Sequence, residues 1–90
     1  MKRIKVKYKK LGKHKVWGFS DSAGFVELDV NLKGKKHLEI LLHECMHLIM
    51  PEDNEDEIVR KSVLLTNTLW HEKYRKVDDK EDIPLQDGTL

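Results

Sequence analysis

Within residues 1–30, apolar and polar positions alternate in short segments, which is the period of a β-strand. Ile4, Val6 and Tyr8 are separated by basic residues and predict a first strand with one apolar face. Residues 16–19 and 25–30 predict two further strands, and the turn-forming residues between them predict a hairpin. The pattern therefore indicates a small antiparallel sheet of three strands.

The period becomes helical after residue 34. Apolar side chains then recur at spacings of three and four: Leu38, Leu41, Leu42, Cys45 and Ile49. Pro51 predicts the end of this helix, because the residue before a proline disfavours the helical conformation. Asn54 is the expected N-cap of a second helix that runs to about Tyr74. Its inward stripe is predicted to be Ile58, Ser62, Leu65 and Leu69.

These elements predict an α+β fold in which the sheet packs on two helices. The 90 residues suffice for one domain, which we place at residues 1–76. Trp17 and Trp70 are expected in the core, where they would tie the sheet to the helices. Residues 77–90 are polar and are expected to form a disordered tail.

Composition narrows the class of protein and its compartment. Hydrophobic residues make up 39% of the chain and charged residues 37%, and no apolar run approaches the roughly 18 residues that span a bilayer. The basic N-terminus lacks the apolar stretch of a secretory signal, and a single cysteine, Cys45, cannot form an internal disulfide. We therefore expect a cytoplasmic protein without membrane association.

The first predicted helix contains the sequence His43-Glu44-Cys45-Met46-His47. This H-E-x-x-H pattern puts the two histidines one turn apart on one helix face, where both imidazoles can bind the same zinc ion. Glu44 is rotated by about 100° from His43, so it is placed to take a proton from a zinc-bound water and to deliver it to a leaving amine. The alternative is a chance match with a structural histidine pair, although burying these polar groups without a ligand would be costly.

A catalytic zinc needs a third protein ligand and an open position for water. The candidates are acidic residues around the start of the second helix: Glu52, Asp53, Glu55, Asp56 and Glu57. Glu55 lies three residues before the first position of the inward stripe, so helix periodicity turns it toward the first helix. We predict one Zn²⁺ per chain between the two helices, with Asp56 as the alternative to Glu55. The preferred ligand set is His43, His47 and Glu55.

The sequence gives less reason to assign other polar side chains to the metal site. Cys45 faces away from the two motif histidines and is expected to pack in the core. Tyr74 could stabilise an oxyanion with its hydroxyl, but packing at the end of the second helix is the favoured interpretation. The remaining histidines have no metal-ligand spacing and are expected on the surface or in loops: His14, His37 and His71.

Charge is unevenly distributed although the net charge is only +1. Residues 1–15 contain eight basic residues and no acid, whereas residues 51–57 contain five acids and no base. A basic stretch can indicate a nucleic-acid-binding face. No aromatic residues accompany these lysines in a stacking pattern, so the favoured interpretation is a solvated strand whose lysines protect a sheet edge.

With these motifs in view, residues 1–76 resemble the short metallopeptidases encoded by tailed phages and prophages, which are minimal gluzincin-like proteins. The resemblance rests on the basic first strand, the hairpin, the H-E-x-x-H helix and an acidic pair after the cap, and it includes Pro51, Leu69-Trp70 and Tyr74-Arg75. Asn54 departs mildly from it, since serine is common at that position.

The resemblance implies a zincin-like core, His43 and His47 as zinc ligands and Glu44 as the base. The acidic pair of the family falls on Glu55 and Asp56, which adds to the periodicity argument for Glu55. A phage origin implies the host cytoplasm as the compartment. The resemblance supplies no substrate.

Zinc-dependent hydrolysis of peptide bonds is therefore the expected activity, with a peptide or protein as substrate. The strand at residues 25–30 is expected to bind an extended peptide by edge addition. A chain of this length leaves little protein for a cleft, so a homodimer or a protein partner could supply one wall. The competing hypothesis is a non-catalytic module in which zinc stabilises a small domain and the basic strand binds nucleic acid. A structural zinc site needs four protein ligands and no Glu44, which favours the enzyme.

Overall fold

The computed structural model describes residues 2–77, and most of the predicted tail, residues 78–90, lies outside this described part. In chain order the elements are β1 (Lys5–Lys9), a 3-10 turn (Gly12–His14), β2 (Gly18–Asp21), β3 (Phe25–Asp29), α1 (Gly34–Ile49) and α2 (Glu55–His71). The strands form one sheet that packs against the helices, which confirms the predicted α+β class. Neither α1 nor α2 has the length and apolar character needed to cross a membrane.

β3 is the central strand of a mixed sheet with the order β1-β3-β2. β2 pairs with β3 antiparallel, which confirms the hairpin, but β1 pairs with β3 in parallel. The prediction of a wholly antiparallel sheet is therefore wrong for β1. The cause is the connection at residues 10–17, which carries the chain past the end of β3 to the far edge of the sheet. Leu11 anchors this crossing, because its backbone N–H donates to Asp29 Oδ2 (3.0 Å).

The core lies between the sheet and α1 and is centred on β3. Val26 and Leu28 of β3 have no exposed surface, and Ile58 of α2 is equally buried. Gly18 allows α1 to approach β2 closely, because a Cβ at this position would lie 2.9 Å from Leu28 Cδ2 and 3.2 Å from Ile40 Cγ2. Burying a side chain such as that of Leu28 stabilises the fold by about 1.5–3 kcal/mol. This packing fixes α1 relative to the sheet.

The two helices run antiparallel. A Cβ at Gly34, the first residue of α1, would lie 3.8 Å from the ring of Trp70, near the last turn of α2. α2 begins as the sequence predicts, with the Asn54 side chain accepting a hydrogen bond from the N–H of Glu57 (2.9 Å). The end of α1 therefore meets the beginning of α2, at the position of the H-E-x-x-H motif.

The inward stripe of α2 differs in part from the prediction. Ile58, Ser62 and Thr66 are buried, whereas Leu65 is 39% exposed. The stripe continues at a spacing of four residues instead of shortening to three at Leu65, so the small polar side chain of Thr66 takes the core position. Two small polar side chains, Ser62 and Thr66, therefore occupy buried positions of α2.

Two aromatic predictions near the sheet are also corrected. Trp17 is 51% exposed and does not lie in the core, since it precedes β2 on the side of the sheet away from α1. His37, expected on the surface, is buried at the start of α1. It shares a hydrogen bond of 2.8 Å with the hydroxyl of Tyr8 in β1. This contact ties the parallel strand to the helix.

Candidate metal centre

α1 places His43 and His47 one helical turn apart on the face that meets the start of α2. Their Nε2 atoms are 3.3 Å apart, and the rings meet edge to face with centroids 4.9 Å apart. The two side chains are 18% and 30% exposed, respectively. The spacing of four residues is sufficient to cause this convergence, because such residues lie one above the other on a helix.

Glu55 is the first residue of α2, and its carboxylate reaches both imidazoles. Oε2 lies 3.1 Å from His43 Nε2, and Oε1 lies 3.0 Å from His47 Nε2. Each ring therefore faces a different oxygen of the same carboxylate. The structure thus brings together the three residues that the sequence predicts as a ligand set.

The connection between the helices positions this carboxylate. Asn54 caps α2, which sets the first residue of the helix and the direction of its side chain. Asp53, another candidate ligand, is instead held in an ion pair with Lys61 of α2, with 2.6 Å between Oδ2 and Nζ. The Glu55 carboxylate faces the histidines of α1 instead.

The three side chains have the spacing expected of a metal site. In a tetrahedral site with metal–nitrogen distances near 2.0–2.1 Å, neighbouring ligand atoms are about 3.3–3.4 Å apart. The two histidine nitrogens are 3.3 Å apart, which is close to this value, and each lies 3.0–3.1 Å from a different oxygen of Glu55. The Glu55 side chain is 61% exposed, so solvent reaches the cluster. His43, His47 and Glu55 therefore form a group that could hold a metal ion.

Glu44 lies beside this cluster with its carboxyl half-buried. Burial raises the pKa of this carboxyl above its usual value of 4.5, and the nearby Glu55 charge acts in the same direction. His43, His47 and a side-chain hydrogen bond from Ser20 lower the pKa. Burial prevails, so the carboxylate takes up a proton more readily than an exposed glutamate does. A general base that works near neutral pH needs this property.

The structure places the other candidates away from the cluster. Asp56 is exposed on α2 and does not belong to the group. Tyr74 lies beyond the far end of α2, about 25 Å along the helix from Glu55, so its hydroxyl does not serve this site. It lines a cavity of about 660 Å³ together with Tyr8 and Trp70. This cavity is separate from the candidate metal centre, which lies at the surface.

Ser20 is a contributor that the sequence does not reveal. Residues 20–24 have the composition of a turn, and Ser20 gives no other signal. In the structure β2 extends to Asp21, and Ser20 pairs with Val26 on the side of the sheet that packs against α1. Its side chain there hydrogen-bonds to Glu44. The missing information is the packing of β2 on α1, which is a long-range contact.

Comparison with known proteins identifies no relative. No protein-family model matches the chain, and neither the curated proteins nor the solved structures gave a significant match. The resemblance to short phage-encoded metallopeptidases therefore stays a prediction.

Proposed function

We propose that this protein is a zinc-dependent metallopeptidase that hydrolyses peptide bonds. The observation that carries the proposal is the convergence of His43, His47 and Glu55 from two helices, with Glu44 beside them. Two imidazoles and one carboxylate form a known donor set of catalytic zinc sites, and access for solvent provides the water at the fourth position. Imidazole ligands also favour zinc over the hard cations magnesium and calcium.

The chain's own residues divide the chemistry between them. A zinc ion held by the three ligands would supply a Lewis acid and would lower the pKa of water to about 7. Glu44 accepts the proton of the attacking water, because its raised pKa makes its carboxylate a better base than an exposed one. It then returns the proton to the leaving amine.

The sheet offers an edge for the substrate near these residues. The sequence predicts that β3 binds an extended peptide, but this prediction is wrong, because β3 pairs with a strand on each side. β2 lies at an edge of the described sheet, and its Ser20 contacts Glu44. We place the substrate at this edge, as an added strand that pairs with the backbone of β2.

A purely structural zinc site is the competing hypothesis. Such a site is closed by four protein ligands, whereas the structure brings together three among residues 2–77. A structural site also has no need of the half-buried Glu44 carboxyl, which weakens the fold at neutral pH by resisting ionisation. Both observations favour the enzyme.

Zinc content and cleavage of a peptide library, measured on four proteins, test the proposal. Wild type is expected to hold about one zinc per chain and to cleave peptides. Glu44→Gln should hold the same zinc but cleave about 10²–10⁴-fold more slowly, which is the usual contribution of a general base. Glu55→Ala should lose zinc and activity together. Asp56→Ala, which removes the next acid of the same helical turn, should change neither.

Three results would count against this assignment. Wild type without zinc would remove the metal site. Cleavage by Glu44→Gln at the wild-type rate would exclude Glu44 as the base. Tightly bound zinc without cleavage of any peptide in the library would favour the structural role, and Glu55→Ala would then affect stability alone.

A further inference from the structure

One side of the sheet combines lysines with aromatic side chains. α1 packs against the other side, which carries Gly18, Val26 and Leu28. Successive residues of a strand point to opposite faces, so the alternate residues of each strand point away from α1. We call this side the outer sheet face and define it by Lys5, Lys7, Lys9, Trp17, Phe19 and Phe25.

The pairing of the strands mixes the two kinds of side chain. Lys5 of β1 is paired with Phe25 of β3, and Lys7 and Phe19 lie on the two sides of Glu27. Lys7 Nζ lies over the Phe25 ring, 4.0 Å from its centroid. The basic strand therefore does have aromatic neighbours, but they come from β2 and β3. Sequence patterns within β1 cannot show them.

The aromatic side chains of β2 are accessible. Phe19 is 39% exposed, and Trp17, immediately before β2, is 51% exposed. Trp17 is aligned with the end of β3, because its carbonyl accepts a hydrogen bond from the N–H of Asp29 (2.8 Å). A second cavity of about 310 Å³ is lined by Lys15, Trp17 and Asp29. Two exposed rings thus follow one strand, with cations beside them.

Three acids point to the outer sheet face by the same alternation: Asp21, Glu27 and Asp29. Glu27 is buried and forms an ion pair with Lys9, with 3.3 Å between Oε2 and Nζ. Asp29 is also buried, and its carboxylate accepts hydrogen bonds from two backbone N–H groups, at 3.0 and 2.8 Å. Asp21 Oδ1 accepts a hydrogen bond from the N–H of Ala23 (2.7 Å). These three carboxylates balance the charges of Lys5, Lys7 and Lys9, so the positive charge beside the face comes from the other five basic residues of the stretch 2–15, which contains no acid.

We propose that the outer sheet face binds single-stranded nucleic acid. Bases stack on Phe19 and Trp17, and the phosphates of the same strand contact Lys5 and Lys7. Every base has a flat face that can stack on an aromatic ring, so binding is expected to show little sequence preference. A positive surface with exposed rings suits a ligand that carries both a negative backbone and flat aromatic groups.

Other anionic partners would contact only some of the side chains on this face. A duplex covers the faces of its bases by stacking, so the rings of Phe19 and Trp17 would add nothing to its binding. An acidic peptide would pair with Lys5 and Lys7 and would leave the rings exposed. The aromatic contribution therefore distinguishes the proposed ligand from both alternatives.

Fluorescence anisotropy of a labelled oligothymidine of about 12 nucleotides, titrated with the full chain at several salt concentrations, tests the proposal. Phe19→Ala is expected to weaken binding by roughly 5- to 150-fold, which is the range for one lost stacking contact. Phe19→Trp should preserve binding and serves as the folded reference for this position. The double variant Lys5→Gln/Lys7→Gln should reduce the slope of log affinity against log salt by about 1.4.

Matched controls come from the rest of the chain. Lys35→Gln/Lys36→Gln removes two exposed lysines at the start of α1, and Tyr74→Ala removes an exposed ring beyond α2. Both variants should bind as wild type does. Urea denaturation of each variant shows whether it is folded.

The proposal fails if wild type does not bind the oligothymidine or if the control variants lose as much affinity as the outer-face variants. It also fails if a duplex of the same length binds as tightly, or if a polyglutamate peptide competes as well as unlabelled oligothymidine. The titration involves no hydrolysis, so its failure leaves the proposed peptidase standing. Failure of the peptidase assay likewise leaves this binding test intact.

Discussion

At the scale of single residues, Glu44 combines a chemical advantage with a cost in stability. Burial raises its pKa above 4.5, so the unfolded chain ionises this carboxyl more easily than the folded protein does. The free energy of unfolding therefore falls as the pH rises from about 4.5 to the raised pKa, and it then stays level. At neutral pH the ionised Glu44 side chain therefore makes the metal-free folded protein less stable than it would be with a protonated Glu44.

This sign gives a prediction for Glu44→Gln, which removes the ionisation. In the presence of a chelator, the variant should be more stable than wild type at pH 7, and the difference should shrink as the pH is lowered from the raised pKa of Glu44 toward 4.5. Urea denaturation at a series of pH values measures it. A difference that is the same at every pH would show that burial does not control this carboxyl.

Predictability at this scale depends on whether a residue's neighbours are local. His43, Glu44 and His47 share one helical turn, so their relative positions follow from spacing alone. Glu55 belongs to another helix, yet the Asn54 cap sets the phase of that helix and the periodicity then selects it. Ser20 depends on the packing of β2 on α1, and no local pattern encodes that contact.

At the scale of elements, the Asn54 cap serves both the helix and the cluster. Its side chain satisfies the N–H of Glu57 at the beginning of α2, next to Glu55. Asn54→Ala should lower the free energy of unfolding by about 1 kcal/mol. It should also weaken zinc binding, since the first turn frays and Glu55 moves with it. Urea denaturation and a zinc titration measure the two effects.

Two substitutions make this prediction specific. Asn54→Ser keeps a good capping side chain and should retain both stability and zinc affinity. Asn67→Ala changes an exposed asparagine inside α2, where alanine is the better helix former, so it should not destabilise the protein. If Asn54→Ala lost stability without any loss of zinc affinity, the cap would not be needed to position Glu55 for zinc binding.

The order of the strands is the part of the fold that the sequence could not provide. Alternation predicts each strand, and the turn residues predict the β2–β3 hairpin, because both signals are local. The parallel pairing of β1 with β3 depends on the path of residues 10–17 and on buried contacts such as that between Leu11 and Asp29. This single difference moves β3 to the centre and the free edge to β2, which changes the expected position of the substrate.

At the scale of the whole molecule, the candidate metal centre joins the end of α1 to the beginning of α2. The cluster lies at the surface and not in the larger cavity, so a complete substrate cleft would need more protein than one chain provides here. A homodimer or a protein partner therefore stays a prediction. The metal itself has a consequence that a single chain can test.

A zinc ion held by His43 and His47 of α1 and by Glu55 of α2 would link the helices in the folded state and not in the unfolded one. At a free zinc concentration of about 100 times the dissociation constant, this linkage adds about 2.7 kcal/mol. In a domain of this size each kcal/mol raises Tm by about 4–8 °C. We therefore expect wild type to melt roughly 10–20 °C higher in zinc than in chelator.

Glu55→Ala decides whether that gain comes from the proposed cluster. The variant keeps both histidines, so any zinc that they bind without the carboxylate should give a much smaller rise in Tm. Asp56→Ala removes a neighbouring acid and should keep the full rise. An equal rise in wild type and Glu55→Ala would place the bound zinc elsewhere on the chain, and α1 and α2 would then be held together by their packing alone.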